Sequence, residues 1–164
     1  MTNFNLIDIF TQVFNDLFSY VDINHKFMCE VPQSTLNSTE EVNILVGVSG
    51  DIDGNIMFGY TEKTAKDICA KLMGVSEVKN IDKYAQAALA DFYSEFCNRV
   101  AGYIKTENLF NVAKYEKDYA LLTTSPTYIA GLEMHGMISK VPSKKLFFKV
   151  NDEKFAITYN LEEK

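Results

Sequence analysis

The chain has no tryptophan, only three prolines and three cysteines, and no cluster of positive charge. Each shortage excludes something. Cys29, Cys69 and Cys97 are far apart, odd in number and never in a CxxC pair. They read as three small buried hydrophobes in a reducing compartment rather than a disulfide framework or a zinc site. Lys and Arg total 16 against 22 Asp and Glu, and the longest basic run is Lys144-Lys145. A nucleic-acid partner would need a concentrated positive face, and an anionic membrane surface a basic patch; neither class is expected. No apolar run approaches the roughly 20 residues of a membrane-spanning helix. The opening MTNFNLIDIF has no basic region and no cleavage-like site, so a cytoplasmic location is expected.

What is present suits a folded chain. Its 164 residues fit a single domain, 1–164, and 47% hydrophobic with 23% charged residues is ordinary for a packed protein. Phe4, Ile7, Phe10, Phe14 and Phe18 recur at helical spacing and predict a helix over 4–20. A short strand follows at 27–32, then a polar loop over 33–41. Val42–Val48 and Asn55–Tyr60 read as a hairpin about the Ser49–Gly54 turn. Thr61 caps a helix over 62–73 that Gly74 ends. Asn80 is the expected cap of a long helix running to about Lys105. A connector over 108–118, strands at 119–124 and 128–130, a loop over 131–143, and a closing hairpin of 145–150 with 155–161 about Asn151-Asp152 complete the order. Helix, hairpin, two helices and then strands make an α+β chain with an antiparallel sheet.

The long helix holds the main polar signal. At about 100° per residue, Leu89, Phe92, Phe96, Val100 and Tyr103 share one side, with Tyr93 and Ile104 at its margin, and this face can pack on the sheet. Asp91, Glu95 and Asn98 share another, at i, i+4 and i+7. Ala88, Ser94, Ala101 and Gly102 lie near them and are small, so a partner could approach closely. Gly102 costs about 1 kcal/mol relative to Ala inside a helix; close approach or packing against another helix would explain it. Periodicity alone leaves this stripe as the solvated face of an amphipathic helix.

The spacing of Asp91, Glu95 and Asn98, with Pro126 downstream before a strand, resembles the signature of the CheC/CheX/FliY family of chemotaxis phosphatases. The segments VGVSGDIDGNIMFGYTEKTAKDICAKLMG (46–74), TTSPTYIAG (123–131) and KLFFKVNDEKFAITYNL (145–161) resemble the family in the same order. The gap before Pro126 is a few residues longer than usual, which points to an insertion in the 108–118 connector. Only one Glu/Asn pair is present. Asp8, Gln12 and Asn15 echo it on the first helix, with Gln in the Glu place and no matching proline. One site per chain resembles the CheX branch, which implies a homodimer.

The resemblance implies hydrolysis of an aspartyl phosphate on a CheY-type response regulator. Asn98 would orient the attacking water and Glu95 would contact the receiver's lysine. Asp91, Ser94, Gly102 and Pro126 would support or shape the contact. The chain would need no metal or cofactor of its own, Mg2+ being held by the receiver. The residues alone supply no nucleophile with a base; His25 and His135 lie in unrelated segments and read as ordinary loop or packed histidines. Asp51, Asp53, Asn55 and Glu62 fall at calcium-loop positions, but Ile56 stands where such a loop needs glycine, so a hairpin is expected there. A non-catalytic dimeric adaptor of the chemotaxis or flagellar system is the alternative.

Overall fold

The computed structural model describes residues 6–35, 40–110, 121–130 and 142–163. Expectations for residues 4–5, for 36–39 of the polar loop, for the 111–118 connector, for 119–120 and for the 131–141 loop with His135 lie outside them. The elements in chain order are α1 (Leu6–Tyr20), β1 (His25–Thr35), β2 (Val42–Gly50), β3 (Ile52–Tyr60), α2 (Glu62–Met73), α3 (Lys83–Phe110), β4 (Leu121–Thr123), β5 (Thr127–Ala130), β6 (Pro142–Val150) and β7 (Glu153–Glu163). All strand pairings are antiparallel, in the order β1-β6-β7-β3-β2-β4, and β5 also pairs with β2. The α+β class is as the sequence predicts.

Alternation on the inner strands builds the core. Val42, Tyr60, Phe155 and Phe148 lie side by side across β2, β3, β7 and β6. Ile44, Phe58, Ile157 and Leu146 form the next row, and all eight side chains are buried. Against these rows α1 sets Phe10, Phe14 and Phe18, fully buried. Phe14 stacks on Phe148 with ring centroids 3.9 Å apart and on Phe18 at 4.2 Å. A buried aromatic of this kind dominates core energetics through its area.

Local chemistry explains most element ends. Thr61 Oγ1 accepts from the Thr64 N–H, and Gly74 ends α2 in the left-handed region at φ 66°. Asn151 and Asp152, at φ 48° and 64°, make the two-residue turn between β6 and β7, which suits the twist of a tight hairpin. The calcium-like segment is the hairpin expected of it, with Ile56 buried between Val46 and Tyr159.

Five expectations are corrected. The cap of α3 is Asp82, not Asn80: its Oδ1 accepts from the Tyr84 and Ala85 N–H groups at 3.0 and 2.9 Å, an anion favoured at a helix start. The helix then continues past Lys105 to Phe110. β1 runs on through Thr35 because Ser34 and Thr35 pair with Ser143 and Pro142 of β6; an edge strand needs no apolar alternation, so its polar end reads as loop. Cys29 is exposed rather than buried, on the outward side of that edge strand. Tyr103 does not pack on the sheet: it is 36% exposed and its phenol donates to Asp16 Oδ2 of α1 at 3.3 Å, a polar partner at the rim of the core.

Candidate functional site

Helix α3 has two contrasting faces. One buries Ala85, Leu89, Phe92, Tyr93, Phe96, Cys97, Val100 and Ile104. This fixes the rotation of the helix, so the opposite face is fixed too. There Asp91, Glu95, Asn98 and Gly102 are all exposed, while Ser94, Ala88 and Ala101 are half-buried. A Cβ placed on Gly102 would meet nothing within 4 Å. Packing against another helix among the described residues therefore does not account for the glycine. The stripe is a shallow surface that ends in a carboxylate and a carboxamide.

The edge of the sheet meets this stripe. Thr123 pairs with Val48 and Thr127 pairs with Leu45. Two residues of β2 thus face three, Thr124, Ser125 and Pro126, on the edge. This is a bulge with one extra residue, and Pro126, which has no N–H to give a ladder, stands in it. The bulge is pinned by Thr124. Its N–H donates to the Gly47 carbonyl at 2.9 Å, and its Oγ1 accepts from the Gly47 N–H at 2.8 Å. A side chain at Gly47 would crowd this contact, since a Cβ there would sit 3.1 Å from Thr124 Cγ2.

Two hydrogen bonds hold the polar pair. Thr123 Oγ1 donates to Asn98 Oδ1 at 3.1 Å. Arg99 Nε donates to Glu95 Oε1 at 2.8 Å, one turn along the helix. Both members of that ion pair are about half exposed, at 45% and 52%. Such surface pairs are worth about 0.2–1 kcal/mol, too little to keep Glu95 from exchanging Arg99 for another cation. Arg99 was missed by sequence reasoning although its i+4 spacing from Glu95 was visible. Thr123 had no local signal, being 25 residues away.

Other candidates fall outside this arrangement. Gln12 of the first-helix echo donates to Asp16 Oδ1 at 2.9 Å. The His25 ring lies tilted beside Phe14 with centroids 5.7 Å apart, its Nδ1 2.8 Å from the Ile23 carbonyl, as a packed histidine does. Cys97 lies beneath the stripe; burial pushes its thiol well up, and burial with the Asp82 charge raises Cys69 to about 11. Neither is a thiolate near neutral pH, so neither supplies a nucleophile.

The family model that matches the chain is described as chemotaxis phosphatase CheX and covers residues 42–146. No curated protein matches the sequence. Among solved structures, the CheX–CheY–BeF3–Mg2+ complex from Borrelia burgdorferi aligns with 97% of this chain and 99% of that one, at 20% identity and a TM-score of 0.67. Chemotaxis protein CheX from Vibrio vulnificus aligns with 97% and 100%, at 17% identity and a TM-score of 0.68. The FliM middle domain from H. pylori aligns with 93% and 84%, at 5% identity and a TM-score of 0.62. At these identities the likenesses show a shared fold.

Proposed function

The chain belongs to the CheX family of chemotaxis phosphatases, and from that membership we propose that it hydrolyses the aspartyl phosphate of a CheY-type response regulator. The reaction adds water at phosphorus and breaks the bond to the aspartate oxygen, releasing inorganic phosphate and the free carboxylate. Catalysis of such a loose transfer is mainly positioning and charge stabilisation. The receiver's own site supplies Mg2+ and a lysine. This chain contributes a carboxamide at Asn98, which accepts from the attacking water through its oxygen and donates through its nitrogen. Glu95 leaves Arg99 to meet the receiver's lysine. Asp91 lies at the rim, Ser94 and Gly102 keep the surface shallow, and Pro126 shapes the adjoining edge. We read residues 1–164 as one CheX-like domain, cytoplasmic and acting as a homodimer.

The observation that supports this reading is the joint exposure of Glu95 and Asn98 on the one face of α3 that the sheet leaves open. Phosphate release from a phosphorylated CheY-type receiver with Mg2+ tests it. The protein should accelerate release, and Asn98→Ala should lower kcat by about a hundredfold, the cost of losing one positioned group, while binding persists. A folded wild type that accelerates none of several receivers would sink the phosphatase and leave a non-catalytic adaptor.

A further inference from the structure

We propose that Thr123 is a positioning residue for Asn98: its hydroxyl, delivered from the sheet edge, sets the orientation of the carboxamide that aligns the water. The inference rests on the phosphatase reading above and names a residue outside the helix that the reaction would need.

An exposed asparagine on a helix rotates about its last torsion over a broad, roughly two-fold profile. A carboxamide that must order a water cannot do so while it turns. Thr123 Oγ1 donates to Asn98 Oδ1 at 3.1 Å, which selects one orientation of the plane. It occupies one of two lone pairs on that oxygen and leaves both N–H groups free to donate. The oxygen therefore keeps a site for water.

The hydroxyl is itself well placed for this work. Thr123 pairs with Val48 on β2 and so faces the helix side, as Val46 and Ile44 do. The next residue, Thr124, is tied twice to Gly47, which fixes the backbone just where the bulge begins. Being β-branched, Thr123 has a stiff first torsion. A rigid strand thus holds a side chain of a helix from the flank, an arrangement that tightens a site better than either element alone.

The test uses the full chain in the receiver assay, with Thr123→Val and Thr123→Ser, each also placed in Asn98→Ala. Thr123→Val should lower kcat about tenfold, equal to about 1.4 kcal/mol in the barrier, with KM within about twofold. Thr123→Ser should stay within about threefold of wild type. In Asn98→Ala, Thr123→Val should change nothing further, since the two act as a unit. The order parameter of the Asn98 side-chain amide, from 15N relaxation, should fall in Thr123→Val and recover in Thr123→Ser. An unchanged kcat in Thr123→Val overturns the proposal. So does a further tenfold loss in the Asn98→Ala background, or a Ser variant no better than Val. A wild type without activity defeats the phosphatase reading instead, and the order parameter then decides the contact by itself: no change in Thr123→Val shows that Thr123 does not hold Asn98.

Discussion

Small residues on α3 shape its open face as much as the polar ones do. Gly102 lies inside a helix, exposed, with open space where a Cβ would go and without the positive φ seen at Gly50, Gly54 and Gly74. Among the described residues no atom stands where its side chain would go. Gly102→Ala should therefore stabilise the fold by about 1 kcal/mol and raise Tm by roughly 2–4 °C for a chain of this size. In the receiver assay it should raise KM if a partner's backbone approaches there. A thermal melt with the kinetics checks both halves, and a lowered Tm would show that the backbone, not the partner, needs the glycine. The Glu95–Arg99 pair is weak on the same scale, so exchange of partners at Glu95 costs little.

At the scale of elements, the hairpins and the bulge shape the platform beneath the site. Gly54 of β3 has φ 149°, and a Cβ there would run into the Asn160 carbonyl oxygen of β7. Backbone strain and overpacking add at such a position. Gly54→Ala should cost about 3 kcal/mol or more. Gly74→Ala keeps open space around it at φ 66° and should cost only the left-handed penalty of about 1–2 kcal/mol. Urea midpoints of the two variants compare these directly; equal losses would mean that β7 gives way to the new methyl.

The whole molecule keeps several ionisable groups neutral by burial. Tyr60 and Tyr93 are fully buried with their rings stacked 5.8 Å apart, and burial holds both phenols far above their ordinary range. Tyr159 is raised to about 12 and Cys69 to about 11, chiefly by burial. Groups whose folded pKa is raised bind more protons in the folded state than in the unfolded one. Their contribution is complete below the unfolded values, near 9 for Cys and 10 for Tyr, and fades as pH rises towards the folded ones. Urea midpoints should accordingly stay level below about pH 9 and fall from there towards about pH 12. A midpoint that held steady up to pH 10.5 would contradict this. Among the described residues no helix is long and apolar enough to cross a membrane.

Local order determined much of this protein. The phenylalanine spacing of α1, the Thr61 and Gly74 ends of α2, the Asn151-Asp152 turn and the stripe of Asp91, Glu95 and Asn98 all follow from periods and caps that act within a few residues, and so they are legible in a row of letters. What the row does not contain is which strand lies beside which. Only the tertiary structure set β4 against β2, with Thr123 opposite Val48 and facing Asn98. The same placement turned Tyr103 to Asp16 and left Cys29 on an outer edge. Those outcomes depend on contacts between residues distant in the chain, where the packing of one core, rather than the preference of any segment, decides which neighbour each side chain meets.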